Sequence, residues 1–230
     1  MMYKSIFFDL DDTLWDFSGN AYDSFSEVYA HYDFDQYFDS FDQFYSIYKE
    51  HNARLWIEYG NGNITKNELN RKRFFYPLQY VGVHDEDLAK SYSDDFFELI
   101  PTKSKLLPYA KEILEYLSGK YRLFILSNGF RELQFRKMTS AGINHYFEKV
   151  ILSEDIQIHK PNPEIFYFAL SATQSILSDS LMVGDSWEAD IAGAKGVNMD
   201  QMFFNYSGME ELSFKPTYTI KSLKDILSIL

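Results

Sequence analysis

Short apolar runs alternate with helical stretches along most of this chain. The runs contain few polar residues and lie at positions 5–8, 123–126, 150–152, 181–183 and 201–204. Runs without polar alternation are typical of parallel strands that are buried on both faces of a sheet. Helical stretches are found around them, at positions 109–118, 130–141, 163–173 and 187–195. This alternation predicts an α/β protein with a doubly wound parallel sheet.

Residues 15–100 follow a different pattern. Apolar side chains recur there at steps of three and four residues, as between Phe25 and Tyr29, which is the spacing of an α-helix. Thr65, followed three residues later by Glu68, resembles a capping box that opens a helix. The segment therefore predicts a bundle of helices.

The composition supports a division of the chain at this segment. Aromatic residues are concentrated in it, and positions 14–48 contain seven acidic residues but no Lys or Arg. The sequence shows no internal repeat and no low-complexity linker. We therefore expect a core domain made of residues 1–14 and 101–230, with residues 15–100 inserted as a helical domain.

Polar residues follow several of the predicted strands. Four of them, at or just after the ends of separate runs, are Asp9, Ser127, Ser153 and Asp185. In a doubly wound sheet, ligands bind beyond the carboxyl ends of the strands. The carboxyl ends of parallel strands lie at one edge of the sheet, so these side chains should converge. The pattern thus locates a polar site before any motif is considered.

The net charge limits the range of partners. The chain has 34 acidic and 22 basic residues, which gives a formal charge of −12. A chain of this sign repels a phosphate backbone, so we expect no polymeric nucleic acid as a partner. No segment reaches the roughly 18 apolar residues of a membrane span, and the apolar run near the N-terminus is too short for a signal peptide. We therefore expect no membrane association.

The absence of cysteine excludes a further set of chemistries. A chain with no Cys forms no disulfide, binds no iron–sulfur cluster or thiolate-ligated zinc, and has no cysteine nucleophile. This composition fits a reducing compartment, so we expect a cytoplasmic protein. The 230 residues suit one main domain with an insert, and we expect a monomer or a small homo-oligomer.

An Asp-x-Asp pair closes the first predicted strand. Asp9 and Asp11 lie two residues apart, and at the strand period of two their carboxylates start out on the same side. In a chain rich in Asp, such a pair carries little information by itself. Two other pairs, at 33/35 and 85/87, lie in polar contexts, and we interpret them as helix starts or turns.

Three later segments supply partners for this pair. The Ser-Asn-Gly segment at 127–129 provides a hydroxyl and a turn into a helix, whose free N–H groups favour an anion. Lys160 lies in a loop with two prolines, and Asp185 and Asp190 follow the fourth strand. Each segment alone is compatible with an ordinary turn, an exposed lysine or an acid on a helix face. Their occurrence in this order is what indicates a site.

Taken together, these motifs resemble those of the haloacid dehalogenase (HAD) superfamily. Its members carry Asp-x-Asp after the first strand, Ser or Thr after the second, a Lys, and Gly-Asp-x-x-x-x-Asp after the fourth. The match covers the chain outside residues 15–100, and that insert lies where subfamily I carries its helical C1 cap. The resemblance implies a Rossmann-like sheet with strand order 5-4-1-2-3 and an inserted helical cap domain.

Charge suggests which cofactor this edge of the sheet requires. Its four carboxylates, on Asp9, Asp11, Asp185 and Asp190, would repel each other, so a cation is needed to keep them ionised together. An all-oxygen ligand set without Cys or His favours Mg2+. By resemblance, Asp9 and Asp185 provide carboxylate ligands and Asp11 its backbone carbonyl. Asp190 then orients Lys160 or a metal-bound water.

The resemblance also implies a catalytic role for each motif. Asp9 is expected to attack phosphorus and form an aspartyl-phosphate. Asp11 would protonate the leaving ester oxygen and then activate the water that hydrolyses the intermediate. The groups expected to stabilise the transferring phosphoryl group are the Ser127 hydroxyl, the N–H groups of Asn128 and Gly129, and Lys160.

The insert carries the information on the substrate. Segment 55–65 and the pair at 73–74 resemble the cap of the bacterial pyrimidine 5'-nucleotidases of this superfamily, as do the runs 127–130 and 160–166 in the core. The resemblance implies a nucleoside monophosphate such as UMP, dUMP or dTMP as substrate. Aromatic rings would stack on its base, and Arg side chains would meet phosphate or carbonyl oxygens. The candidates for these contacts are Trp15, Phe17, Arg54, Trp56, Arg71 and Arg73.

Other readings remain open. In an aromatic-rich bundle such rings are often core, and such Arg side chains are often solvated. A sugar-phosphate phosphatase or a phosphomutase of the same superfamily would carry the same core motifs. A 2-haloacid dehalogenase needs neither a metal nor an acid two residues after the nucleophile, so Asp11 and Asp185 argue against it. A non-catalytic module that binds phosphorylated ligands is disfavoured because each expected catalytic position is filled.

Overall fold

The computed structural model, which describes residues 3–230, contains a six-stranded sheet. Its strands are β1 (Ser5–Phe8), β2 (Arg122–Ser127), β3 (Lys149–Leu152), β4 (Ser180–Gly184), β5 (Asp200–Phe204) and β6 (Tyr218–Ile220). They pair in parallel in the order β3-β2-β1-β4-β5-β6. Without β6, and read from the β5 side, the order is 5-4-1-2-3. This order confirms the expected doubly wound fold.

The sequence pattern does not predict the sixth strand. β6 pairs with the outer edge of β5, with Tyr218 opposite Met202. It has three residues and includes the polar, exposed Thr219, so it lacks the apolar run that marks the other strands. A short strand of this kind covers the edge of the sheet without offering a long new edge.

Helices connect the strands and form the segment between β1 and β2. They are α1 (Phe17–His31), α2 (Phe41–Gly60), α3 (Lys66–Tyr80), α4 (Glu86–Leu99), α5 (Ala110–Ser118), α6 (Arg131–Ser140), α7 (Pro163–Thr173), α8 (Gly193–Gly196) and α9 (Ile226–Ile229). The stretch predicted as one helix at 187–195 begins instead as a π-helical segment, Trp187–Ala192. The Ser186 carbonyl accepts from the N–H groups of both Asp190 and Ile191 there, and such widened turns are frequent at functional sites.

The chain divides into two compact units. One contains the residues up to Phe17 together with Ser104–Leu230, and the other contains Ser18–Lys103. We refer to them as the sheet unit and the helical unit. Within residues 3–230, the structure contains no helix that is both long and apolar enough to cross a membrane.

The core of the sheet unit consists of the apolar strand residues and the helices that cover them. Phe7, Phe124 and Met182, from the three central strands, are at most 1% exposed and pack with Phe166 of α7. The rings of Phe7 and Phe124 lie 5.1 Å apart. Burial of large side chains on central strands fixes the strand register, and the register aligns the strand ends that carry the site.

The core of the helical unit is largely aromatic. Phe25 of α1 lies 4.0 Å from Phe96 and 4.3 Å from Tyr48, measured between ring centroids. Phe74 contacts the same group, and its carbonyl accepts a hydrogen bond from the buried Tyr92 hydroxyl. Tilted and stacked rings at these distances stabilise the packing beyond the area they bury, which explains the concentration of aromatic residues in this segment.

Polar residues at the helix ends confirm several expectations. Thr65 and Glu68 form the capping box at the start of α3, with the Thr65 N–H donating to the Glu68 carboxylate over 2.8 Å. Asp85 accepts a hydrogen bond from the Leu88 N–H and caps α4, and Asp33 precedes a short 3-10 turn. The two Asp-x-Asp pairs of the insert are therefore helix starts.

Candidate active site

The loop after β1 is a tight turn that holds the first acidic pair. The Asp9 N–H donates to the Val183 carbonyl over 2.9 Å, which continues the pairing of β1 with β4. The chain then turns back, since the N–H of Trp15 reaches the Leu10 carbonyl and Asp12 adopts a left-handed conformation with φ 56°. Asp tolerates this conformation better than most residues. The turn places Asp9 at the carboxyl edge of the sheet, only 9% exposed.

A buried lysine joins two of the acids. The Lys160 ammonium donates to Asp9 Oδ1 over 2.7 Å, to Asp190 Oδ1 over 2.6 Å and to the Leu126 carbonyl over 2.7 Å. Burial lowers the pKa of Lys160, but attraction to Asp190 and Asp9 outweighs burial and raises that pKa above its ordinary value. Lys160 is therefore a cation with three directed hydrogen bonds, and its position is fixed on all sides.

Asp190 is fully buried and faces inward from the π-helical segment. Its Oδ1 accepts from Lys160, and its Oδ2 accepts from the Ser186 N–H over 3.1 Å. Gly184 makes room for it, because a Cβ atom at this position would lie 2.2 Å from Asp190 Oδ2. The two oxygens of Asp190 are thus both engaged by the protein.

Asp185 is held by a residue from the first loop. The Thr13 hydroxyl donates to Asp185 Oδ1 over 2.9 Å and accepts from the Asp185 N–H over 3.1 Å. Thr13 is fully buried. Sequence reasoning does not single it out as a functional residue, although it directly follows the acidic run at 11–12. The reciprocal pair links the loop after β1 to the loop after β4.

The carboxylates of this edge form a candidate metal centre. Among the residues described, Asp9, Asp185 and Asp190 each offer an oxygen within 4.8 Å of the others. Burial, with the charge of Asp190 and Asp11, raises the pKa of Asp9 to about 7 despite the opposing effect of Lys160. Burial and the charges of Asp9 and Asp190 raise the pKa of Asp185 to about 8. A divalent cation fits this all-oxygen set because it would relieve the repulsion that raises both values.

The residues after β2 and β3 lie at the same edge. Ser127 Oγ accepts from the Gly129 N–H over 3.1 Å and from the side-chain amide of Gln134 over 2.8 Å. Asn128 bonds the backbone of Lys160 through its side chain. Ser153 is fully buried and its hydroxyl donates to the Asn128 carbonyl. This hydrogen bond stabilises the turn at 127–129.

Two side chains of α6 reach Asp11, and the sequence does not single them out. The Lys137 ammonium lies 2.8 Å from Asp11 Oδ1 and 3.1 Å from Oδ2. The Gln134 amide nitrogen lies 3.0 Å from Asp11 Oδ2. The only available signal is their spacing of three residues, which places both on one face of a helix.

The chain carries the sequence of a known enzyme family. It matches the family model of the haloacid dehalogenase-like hydrolases over residues 3–198. The chain belongs to this family. HAD hydrolases generally use a divalent metal, and this chain contains an acidic triad of Asp9, Asp185 and Asp190.

Two relatives with defined activities match the full length of this HAD hydrolase. The pyrimidine 5'-nucleotidase YjjG of Escherichia coli is 31% identical over 100% of this chain and 99% of its own length. The pyrimidine 5'-nucleotidase PynA of Streptococcus pneumoniae is 27% identical over 100% of this chain and 96% of its own length. The protein is an enzyme, a phosphatase of the HAD family.

A solved structure shows the same fold. The crystal structure of YfnB from Bacillus subtilis bound to magnesium has a TM-score of 0.88 with 24% sequence identity, and the match covers 100% of this chain and 99% of that one. At this level of identity the likeness concerns the fold. It supports the strand order and the connections of the HAD hydrolase described above.

The candidate substrate residues have different environments in the structure. Trp15 is fully buried and Phe17 is partly buried, and both rings lie beside Lys137 in the sheet unit. In the helical unit, Arg54 pairs with Glu50 over 2.5 Å and is exposed to solvent. In this HAD hydrolase, the rings of Trp15 and Phe17 therefore lie beside the Lys137 ammonium group, which contacts Asp11.

The other three candidates belong to the helical unit. Arg71 forms a two-point ion pair with Glu86, at 2.7 and 3.0 Å, on the surface. Arg73 is 4% exposed and donates to Asn70 Oδ1 over 2.6 Å, and burial lowers its pKa. Trp56 is partly buried, with its ring 5.8 Å from the Arg73 guanidinium. Arg73 is therefore part of the interior of the helical unit.

A tyrosine after β5 also lies near the acidic edge. Tyr206 is 49% exposed. Burial of its hydroxyl and the charges of Asp12, Asp185 and Asp16 raise its pKa to about 12. Its phenol therefore stays neutral near the carboxylates and can serve as a hydrogen-bond donor.

Proposed function

We propose that this HAD phosphatase is a Mg2+-dependent phosphomonoesterase that acts through an aspartyl-phosphate on Asp9, and that its substrates are pyrimidine nucleoside 5'-monophosphates. The observation that carries the chemistry is the cluster in which the Lys160 ammonium joins Asp9 to Asp190. The substrate class is supported by two relatives that match over the full length, both of which are pyrimidine 5'-nucleotidases.

In the first step, Asp9 acts as the nucleophile. Lys160 binds Asp9 Oδ1, so the attack on phosphorus is assigned to Oδ2. The bond between phosphorus and the ester oxygen breaks as the bond to Asp9 forms, and the leaving oxygen takes a proton from the Asp11 carboxyl group. A general acid of this kind typically contributes about 10²- to 10⁴-fold to the rate.

In the second step, water cleaves the aspartyl-phosphate. Asp11, now ionised, accepts a proton from the attacking water, whose oxygen forms the new bond to phosphorus. The bond between phosphorus and Asp9 breaks, and inorganic phosphate leaves. Asp9 is again a carboxylate and Asp11 is again protonated, so the cycle closes without any other reactant.

Charge on the transferring phosphoryl group is stabilised by groups from two further strands. Ser127 provides a hydroxyl, the turn at 127–129 provides backbone N–H groups, and Lys160 provides a positive charge. Donors that are already in place require little rearrangement as the charge develops, which is usually the largest contribution to catalysis. The Asn128 contacts with the Lys160 backbone support such a fixed arrangement.

The carboxylates of Asp9 and Asp185 and the backbone carbonyl of Asp11 are the groups that would hold Mg2+. When bound, the ion would neutralise negative charge at the edge of the sheet and on the phosphate group. Asp190 has both oxygens engaged by Lys160 and Ser186, so we assign it to orienting Lys160. The magnesium bound to YfnB supports the choice of metal.

The helical unit is proposed to be the cap domain of the enzyme, in keeping with the insertion of residues 15–100 between the first two motifs. The proposed role of the Trp56 side chain is to select the leaving group, because the groups at the sheet edge suit any phosphomonoester.

A substrate comparison tests this function. Initial rates with Mg2+ are measured for UMP, dUMP and dTMP against glucose 6-phosphate and β-glycerophosphate, with Asp9→Asn protein as a control for contaminating phosphatases. Stacking of a base is worth about 1–3 kcal/mol, so kcat/KM for the nucleotides is expected to be at least about tenfold higher. A preference for the sugar phosphate would overturn the nucleotidase assignment and leave the phosphatase intact.

A further inference from the structure

The helix α6 carries two buried polar side chains that contact the same carboxylate. Gln134 is 0% exposed and Lys137 is 2% exposed. They lie three residues apart, on one face of the helix, and both bind Asp11 over distances of 2.8 to 3.1 Å. Asp11 itself follows β1, more than 120 residues earlier in the chain. The contacts therefore connect α6 to the loop that carries the proposed acid and base.

The Lys137 ammonium is held between the carboxylate and two aromatic rings. Its nitrogen is within hydrogen-bond distance of both Asp11 oxygens and lies 4.7 Å from the ring centroid of Trp15 and 5.1 Å from that of Phe17. A cation over an aromatic face is attracted by the electrons of the ring. Contacts to both oxygens fix the rotation of the Asp11 carboxyl group as well as its distance.

Gln134 connects Asp11 to the phosphate-binding serine. Its amide nitrogen donates to Asp11 Oδ2 over 3.0 Å and to Ser127 Oγ over 2.8 Å. Gly129 permits this close approach, because a Cβ atom there would lie 2.2 Å from the same nitrogen. One side chain therefore sets the separation between the proposed acid and base and a proposed phosphate ligand.

The carbonyl end of the Gln134 side chain is less well satisfied than its amide nitrogen. Within residues 3–230, its carbonyl oxygen Oε1 is buried without a hydrogen-bond partner. An unsatisfied buried acceptor costs about 1–3 kcal/mol, and an apolar side chain of similar length would avoid that cost. Such exceptions are expected at functional sites.

We propose that Gln134 and Lys137 are positioning residues that hold the Asp11 carboxyl group in the orientation needed to give a proton to the leaving oxygen and to take one from the attacking water. This inference rests on the proposed phosphatase mechanism. Lys137 fixes the rotation of the carboxyl group, and Gln134 fixes its distance from Ser127. A displacement of about 1 Å in such a group lowers a rate by up to about 100-fold, so both residues affect turnover without touching the substrate.

Kinetics with two leaving groups test the proposal. Lys137→Met and Gln134→Met are assayed with phenyl phosphate, whose leaving oxygen needs a proton, and with p-nitrophenyl phosphate, whose leaving oxygen needs little protonation. We expect kcat for phenyl phosphate to fall about 10- to 100-fold, with KM changed less than about threefold. The loss on p-nitrophenyl phosphate is expected to be several-fold smaller. Equal losses on both substrates would show that proton transfer is not what the two residues support.

A double-mutant cycle separates action through Asp11 from an independent role. Lys137→Met is combined with Asp11→Asn, which removes both the ammonium group and the carboxyl group that it contacts. Because the lysine acts through the carboxylate, the second substitution is expected to cost less than about twofold in this background. If Lys137→Met lowers kcat equally in both backgrounds, the positioning role is wrong.

Controls make the result independent of folding. Lys149→Met alters an exposed lysine at the amino end of β3 and is expected to keep the parent kcat and KM. Circular dichroism and thermal unfolding report on each variant. If Lys137→Met does not fold, Gln134→Met provides the test of the positioning role. This substitution removes the contact to Asp11 and also the buried oxygen that has no partner, so it should cost less stability.

Failure of the inference can be distinguished from failure of the proposed function. If the unmodified enzyme hydrolyses both esters and Asp11→Asn impairs it, while Lys137→Met and Gln134→Met retain the parent kcat, only the positioning role is overturned. If Asp11→Asn retains the parent rate, the proposed mechanism is overturned, and the positioning role with it.

Discussion

The side chain of Asn128 makes two hydrogen bonds with the backbone of Lys160, one in each direction. Its amide nitrogen donates to the Lys160 carbonyl over 3.0 Å, and its oxygen accepts from the Lys160 N–H over 2.9 Å. The residue after the second strand thereby fixes the loop that carries the buried ammonium.

Replacing Asn128 by Ala removes both bonds and frees the backbone of the lysine loop. We expect kcat to fall about 10- to 100-fold because the Lys160 ammonium loses its alignment with Asp9. Asn162→Ala is the matched control, since Asn162 caps α7 by accepting from the Glu164 N–H. Loss of the cap should lower the melting temperature and leave kcat within about twofold. Similar kcat values for the two variants would contradict the role assigned to Asn128.

Substitution of the two acids of the first loop separates their roles. Asp9→Asn should abolish turnover because no aspartyl-phosphate can form. Asp11→Asn should lose about 10²- to 10⁴-fold with nucleotides and less with p-nitrophenyl phosphate. Steady-state rates on both substrates provide the measurement. Near-normal turnover by Asp9→Asn would rule out the nucleophile assigned to this enzyme.

Removal of divalent metal should abolish hydrolysis. The proposed ligands, from Asp9, Asp11 and Asp185, are all oxygen atoms, so treatment with EDTA should stop the reaction, Mg2+ should restore it, and Mn2+ should substitute in part. The assay is p-nitrophenyl phosphate hydrolysis across a metal titration. Full activity in EDTA-treated protein would contradict the metal requirement and would favour a metal-free reaction such as that of a 2-haloacid dehalogenase.

The pH dependence of stability in the metal-free protein reports on the same carboxyl groups. The pKa of Asp185 rises from 3.8 to about 8 on folding, and that of Asp9 to about 7. Between about pH 4 and pH 8 the folded state therefore binds more protons than the unfolded state, so the free energy of unfolding falls as pH rises. We expect the melting temperature to drop by several degrees across this window.

Addition of Mg2+ checks the cause of that pH dependence. The ion binds the ionised carboxylates, so it should raise the melting temperature more at pH 8 than at pH 5. Asp185→Asn should flatten the dependence in metal-free protein. A melting temperature that rises with pH in EDTA would contradict the assigned shifts.

Trp56→Ala tests whether the helical unit contributes to base preference. If Trp56 contacts the base, kcat/KM for UMP should fall about 5- to 100-fold, while p-nitrophenyl phosphate hydrolysis stays nearly unchanged. Tyr59→Ala is a suitable control, since its ring contacts that of Trp56 at 5.7 Å. Equal losses on both substrates, with a lower melting temperature, would show that Trp56 serves packing alone.

The strand-end acids could be identified from the sequence because each follows a short apolar run bounded by polar residues. Asp9 and Asp185 come after segments that are typical of buried strands, and parallel pairing brings their ends together. The order of the strands was expected from the resemblance to the HAD superfamily, since apolar runs alone do not show which strands are neighbours. Three-residue β6 was not, since its single exposed polar position removes the apolar signal.

Other parts of the site depend on contacts that no local pattern encodes. Gln134 and Lys137 are residue types that usually lie in solvent on a helix, and only the tertiary fold brings α6 beside Asp11. Thr13 meets Asp185 across 172 positions of sequence. Asp190 could equally lie on a helix face, and the widened turn at Trp187–Ala192 directs it inward to Lys160.

Position 184 admits no side chain, because even a methyl group there would overlap the Asp190 carboxylate. A Gly184→Ala substitution would leave the acidic residues and the lysine of the sheet edge unchanged in the sequence. It would nevertheless push Asp190 away from Lys160. A descendant of this enzyme could therefore inherit its whole set of reactive groups and still lose activity through a single added carbon. A genome survey that aims to identify active homologues therefore has to check for glycine at position 184 as well as for the catalytic acidic residues.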